Sequence, residues 1–201
     1  MENEELIPTQ QIRRQTDAEE KRKFNSLKEA EIACQISAIR LLNVNDWHKI
    51  SPAKGIRFQL TDSNGAKLDR LAKQKDYIQI DITTNCAKNE ESRIWLCIEH
   101  FEEFSDVYRD IDGILFVTRP SKAPGIADSK IAHFLSSRAT STLIVFREAN
   151  VLSVEFHGRN EAPNTEGLNL IDLAKNLVVS KGSYTELYFK QWQYLVSGIL
   201  S

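Results

Sequence analysis

Two short segments between positions 139 and 161 carry the strand signal that most constrains this chain. Ala139-Thr140-Ser141-Thr142-Leu143-Ile144-Val145-Phe146 and Val151-Leu152-Ser153-Val154-Glu155-Phe156 read as strands joined at Glu148-Ala149-Asn150. Strands this close in sequence pair as an antiparallel hairpin, because a parallel partner needs a crossover of roughly a dozen residues or more. In the second run Leu152, Val154 and Phe156 share one face and Ser153, Glu155 and His157 the other. It then enters a dense polar string, His157-Gly158-Arg159-Asn160-Glu161.

The middle of the chain extends the same pattern. Ile56-Arg57-Phe58-Gln59-Leu60 precedes Ser63-Asn64-Gly65, residues that tolerate the positive φ of a tight turn. Tyr77-Ile78-Gln79-Ile80-Asp81-Ile82 sets three isoleucines on one side. Ile94-Trp95-Leu96-Cys97-Ile98 and Ile114-Leu115-Phe116-Val117 add two more strands. No segment between them is long enough for repeated helical crossovers, so six or seven strands should form one antiparallel sheet. Residues 119–125, with Pro120, Pro124 and Gly125, read as a loop, followed by a short helix over 127–137.

Helical periodicity flanks this block. Ser26 and Glu29 have capping-box spacing, and Ile32, Ile36, Ile39 and Leu42 then recur at helical intervals, which predicts an inward stripe. Trp47 and Ile50 should fold back against that helix. Near the C-terminus, Thr165 caps a helix with Leu170, Ile171, Ala174, Leu177 and Val178 on one side, ended by Gly182. Ser183 and Glu186 form a second capping box and open a helix presenting Tyr188, Trp192, Leu195 and Ile199. The fold class is therefore α+β: an antiparallel sheet with one N-terminal and two C-terminal helices. Residues 1–25, polar and charged with a mixed run at 17–23, read as an arm outside a single domain spanning 26–201.

Composition removes several function classes. The net charge of −2 offers no footprint for nucleic acid. Cys34, Cys86 and Cys97 suit reduced thiols better than a disulfide framework. The acidic Met1-Glu2-Asn3-Glu4-Glu5 is unlike a secretory leader, and no apolar run approaches the roughly 20 residues of a membrane span. The expected compartment is the cytoplasm. Cys97 and His100 have Cys-x-x-His spacing, but in a regular strand an offset of three puts them on opposite faces; a shared metal would need a bulge. His100 itself reads as a core-edge residue beside Ile94, Leu96 and Ile98. No P-loop, dinucleotide fingerprint, nucleophile elbow or His-Glu-x-x-His pattern is present, and no cofactor or metal is expected.

The candidate site is Glu155, His157, Arg159, Asn160 and Glu161. Glu155 and His157 are same-face neighbours, so the carboxylate can orient the imidazole and raise its pKa, with Arg159 adding a cation. One reading is a polar cluster at a pocket rim that binds a ligand or partner, or acts as a general acid/base pair. The other is a turn network in which Gly158 supplies an unusual φ, Asn160 satisfies backbone groups and Thr165 caps the next helix. Trp95, Phe101, Phe104, Tyr108, Phe116, Trp192 and Tyr194 suffice either to line an apolar cavity or to fill the space under a curved sheet.

Several segments resemble an uncharacterised family of small bacterial proteins. They are Arg40-Leu41-Leu42-Asn43 with Asp46-Trp47-His48-Lys49-Ile50, and Phe58-Gln59-Leu60-Thr61-Asp62 before Gly65. Asp76-Tyr77-Ile78-Gln79-Ile80-Asp81-Ile82, Ala132-His133-Phe134 and His157 to Thr165 continue the likeness. That resemblance supplies no activity. Thr83 to Glu90 stands where the family has a Gly/Pro-rich segment. The strand-rich middle between a Leu41-Leu42, Asp46-Trp47 opening and a helical end is also similar to the START/Bet v 1-like superfamily. That likeness implies a helix-grip fold, in which an antiparallel sheet curves around a C-terminal helix; a strand before the first helix is absent or weak here. The expected function is a non-catalytic binding module for an apolar small molecule or a protein partner, including service in a homo-oligomer or larger bacterial assembly. The alternative is an enzyme built on Glu155, His157 and Arg159.

Overall fold

The computed structural model describes residues 7–51, 56–82, 93–126, 135–162 and 184–201. The hairpin between β6 (Thr140–Glu148) and β7 (Val151–Glu161) closes through Ala149-Asn150, with Glu148 opposite Val151 and Ala149 at φ 51°. From there each earlier strand pairs antiparallel with the next: β5 (Ile111–Pro120), β4 (Arg93–Asp106), β3 (Tyr77–Ile82) and β2 (Ile56–Thr61). β1 (Arg14–Lys23) closes the other side, giving a seven-stranded sheet in the order β1-β7-β6-β5-β4-β3-β2. Between β1 and β2 lie α1 (Leu27–Leu42), a 3-10 turn (Val44–Asp46) and α2 (Trp47–Ile50), and the chain ends in α3 (Tyr184–Leu200). This is the α+β helix-grip plan. The helix expected over 165–182 and most of that over 127–137 lie outside the described residues.

One face of the sheet meets α3. Val154 and Phe156 of β7, Leu143 and Val145 of β6, and Ile114 and Phe116 of β5 join the isoleucines of β3 and β4 in a single apolar core. The Trp192 ring lies 4.2 Å from that of Phe156, nearly parallel at 11°. Trp47, fully buried, stacks on Phe116 at 6.0 Å and meets Phe58 edge-on at 5.2 Å. Its indole N–H donates to the Leu41 carbonyl at 3.0 Å, so the polar corner of a core aromatic is satisfied by the helix that precedes it. Gly198 lets α3 pass close to α2, since a Cβ there would run into the Ile50 carbonyl oxygen. The opposite face carries a smaller cluster, Ile111, Leu115, Val117, Ile144 and Phe146, with Ile7 and Phe104 against it.

Three expectations change. Residues 14–23 are a strand of the sheet rather than part of a solvated arm. An edge strand needs one neighbour only, and β1 buries just Thr16 and Ala18 while its charges face outward or reach across to β7. On α1 the buried side is Ala30, Cys34, Ser37 and Leu41, whereas Ile32, Ile36 and Ile39 are 48%, 46% and 55% exposed. The small residues permit close approach: the Ser37 hydroxyl donates to the Ile199 carbonyl at 3.0 Å. The Ser26 and Glu29 capping box is present, with the Glu29 amide donating to Ser26 and the Asn25 amide to Glu29. Finally, a bulge between Ile98 and His100 turns His100 away from the core, where it faces Glu102 at 3.0 Å. The bulge brings Cys97 and His100 to one face, opposite Arg119 and Val117. No group of three metal-ligating side chains occurs among the described residues.

Truncating Trp192 to alanine should cost about 3–5 kcal/mol in urea unfolding, because the ring is only 3% exposed and lies on Phe156. On α1, Leu41→Ala should cost about 2–5 kcal/mol. Ile36→Ala on the outer stripe should cost less than about 1 kcal/mol. Equal losses for the two α1 variants would contradict the observed facing of the helix.

Candidate functional site

The polar string 157–161 continues β7 and holds the N-terminal segment to the sheet. Strand pairing sets Asp17 opposite His157 and Glu19 opposite Glu155. His157 Nδ1 lies 2.7 Å from Asp17 Oδ1 and its Nε2 lies 2.9 Å from Glu155 Oε2. Arg159 Nη1 donates to the same Asp17 oxygen at 2.7 Å. Glu155 and His157 are 9% and 13% exposed, so a histidine facing carboxylates through both ring nitrogens is largely withdrawn from water. Burial opposes the imidazolium, but the hydrogen bonds it donates to Glu155 and Asp17, with their charges, outweigh it and hold the His157 pKa above its ordinary 6.5. Burial likewise opposes ionisation of Asp17, yet the bonds from His157 and Arg159 hold its carboxyl below the usual range.

The other two residues act on backbone. Asn160, at φ 56°, accepts from the amides of Gln11 and Ile12 at 2.8 and 3.1 Å. Its own amide donates to Gln10 at 2.8 Å and its side chain to the Thr9 carbonyl at 3.1 Å. Glu161, buried, accepts the Thr16 hydroxyl at 2.7 Å. Gly158 does not supply a positive φ; a Cβ there would displace the Glu161 carboxylate. All five predicted residues therefore lie together, and they lace residues 9–17 to β7. Glu155 and His157 sit on the sheet face opposite α3, since their neighbours Val154 and Phe156 point into the core.

A cleft opens elsewhere, between α1 and the far ends of β4 and β5. It is a largely open depression of about 730 Å³, lined by Cys34, Gln35, Ala38, Ile39 and Leu42 of α1, residues 103–105 of β4 and residues 112–114 of β5. Strand register places Glu103 with Ile114 and Ser105 with Asp112. This is the face that carries Phe116, so the cleft adjoins the core beneath α1. Burial pushes the Cys34 thiol up to about 12, and it stays protonated with its Sγ 3.8 Å from the Asp112 carbonyl. Asp112 is held by Arg147, whose side chain is 8% exposed and also bonds Asp110 at 2.9 Å. Of the predicted cavity aromatics only Phe104 borders the cleft, and its ring packs on the opposite sheet face; Phe116 and Trp192 are core, and Tyr108 is fully exposed. Gln35, Glu103, Ser105 and Asp112 were not among the predicted site residues. Gly113 faces the other side of the sheet, where a Cβ would strike Phe146 and the Val145 carbonyl, so this strand glycine gave no sign of the cleft.

No protein-family model and no curated protein matches the chain. Several solved structures are similar to it at low identity and low TM-score. One is a Thermus thermophilus protein, 10% identical, covering 93% of this chain and 94% of its own, with a TM-score of 0.40. Another is truncated norcoclaurine synthase from Thalictrum flavum, 7% identical, covering 92% and 91%, with a TM-score of 0.36. The protein XoxI from Bacillus cereus is 18% identical, covering 90% and 95%, with a TM-score of 0.37. Among the described residues no helix is long and apolar enough to cross a membrane.

The His157 network should make stability depend on pH in a defined direction. A raised histidine pKa contributes stability that is complete below the unfolded value of 6.5 and is lost as pH rises through the folded value. The depressed Asp17 contributes above 3.8 and is lost as pH falls through its own folded value. Melting temperature should therefore fall as pH rises above 6.5 in the wild type, and this slope should flatten in His157→Gln. An unchanged slope in the variant would remove the network as its source.

Proposed function

We propose that this chain is a non-catalytic binding module holding an apolar small molecule in the cleft between α1 and β4–β5. The observation that carries this reading is the cleft itself: about 730 Å³, within the size range of small-molecule sites, with Ala38, Ile39, Leu42 and Ile114 as apolar lining. Two features support a non-catalytic role. The Cys34 thiol at the cleft is kept protonated and so is a poor nucleophile. The two carboxylates flanking His157 are spent with it on joining β1 to β7, on the face turned away from the cleft.

Native mass spectrometry of the freshly purified chain should show a retained small-molecule adduct. Nile red, a neutral apolar dye, should brighten on binding, and Ala38→Phe, which fills the cleft from α1, should abolish both signals while the fold melts as before. Dye binding that survives Ala38→Phe in folded protein would place the apolar site elsewhere and overturn the assignment. Retention of a protein subunit in place of a small molecule would shift the reading to the exposed isoleucines of α1.

A further inference from the structure

The charges around the cleft select among apolar ligands by their polar end. Its lining contains two carboxylates, Glu103 and Asp112, and no lysine, arginine or histidine. The nearby cation is Arg147, and it is already committed: it bonds Asp110 at 2.9 Å, pairs with Asp112, and lies 3.8 Å from Glu31. With its side chain 8% exposed, that guanidinium is closed to an incoming anion. Glu103 differs. It is exposed and has no ion pair or hydrogen bond with any described residue, and the same holds for the polar ends of Gln35 and Ser105 beside it.

An anionic head group entering this cleft would meet the unpaired Glu103 carboxylate and find no free counter-ion in the lining, a repulsive arrangement at close range. A neutral hydroxyl would gain ordinary hydrogen bonds only. A protonated amine would gain a charge-assisted bond to a carboxylate that has no competing partner, with acceptors on Gln35 and Ser105 to take its remaining protons. We infer that the cleft takes a cationic amphiphile, an alkyl or aryl amine whose apolar body lies along Ala38, Ile39, Leu42 and Ile114 and whose ammonium sits at Glu103. This rests on the reading of the cleft as a small-molecule site and specifies the ligand class for it.

Three probes of equal chain length separate the possibilities: decylamine, decanol and decanoate, titrated by calorimetry into the full chain at low salt and below micelle formation. Decylamine should bind about tenfold or more tightly than decanoate, and added salt should weaken it. Glu103→Gln should lower decylamine affinity several-fold and leave decanol unchanged, while Ala38→Phe should remove all binding and so exclude loose association with the acidic surface. Decanol or decanoate binding as tightly as decylamine, with Ala38→Phe still abolishing it, would overturn the amine preference and leave the cleft standing. Binding by none of the three, or binding indifferent to Ala38→Phe, would bring down the cleft and the amine preference together.

Discussion

A curved antiparallel sheet has an apolar inner face that its own strands cannot cover, and the cover here comes from opposite ends of the chain. Trp192 of α3 lies flat on Phe156, while Trp47, just after α1, stacks on Phe116. Between them these rings close the interior over β5 to β7. Burying aromatic area of this kind is the largest single favourable contribution a small domain can make. It also fixes geometry. The Leu41 carbonyl and the notch at Gly198 hold the α1–α2 junction and α3 at one spacing, and the cleft lies beside α1 at the far ends of β4 and β5.

Polar groups divide between two tasks according to which side of the sheet they occupy. On the outer side Asp17, Glu155, His157 and Arg159 satisfy one another, so their charges are spent on strand adhesion. On the inner side Arg147 gathers Asp110, Asp112 and Glu31, and Glu103 is left over. A titratable cluster with perturbed pKa values is a reasonable first place to look for chemistry. Here its geometry favours structure, and the functional reading moves to a place with weaker sequence signals and an accessible cavity.

Much of the fold was legible because burial wrote itself into periodicity. The turn at Ala149-Asn150, the isoleucine face of β3 and the Trp192, Leu195, Ile199 stripe of α3 all stand as the sequence patterns them. Other elements escaped for physical reasons. β1 is an edge strand whose ladder needs only backbone, so its charged side chains hid it. α1 carries two apolar stripes, and only the tertiary spacing decides that Ala30, Cys34 and Leu41 go inside and the isoleucines outside. A bulge moves His100 to the other face, and bulges leave little trace in a single sequence. The 155–161 cluster was visible as a group, but its partners Thr9 to Asp17 lie some 140 residues earlier. The cleft was hidden for the same reason: its two walls come from α1 and from strands far along the chain.

The sheet's two borders are chemically unequal. β1 presents Asp17, Glu19, Lys21, Arg22 and Lys23 along its length, a row that discourages a foreign strand from adding to it. β2 at the other border is short and carries Arg57 as its sole charged residue, between Ile56 and Phe58. Its outward backbone at Leu60 is already taken, the amide by the Asn45 side chain at 2.8 Å and the carbonyl by the Leu68 amide at 2.9 Å. Unwanted sheet extension between molecules is thus blocked on one flank by electrostatic guarding and on the other by hydrogen-bonding positions that the chain itself occupies.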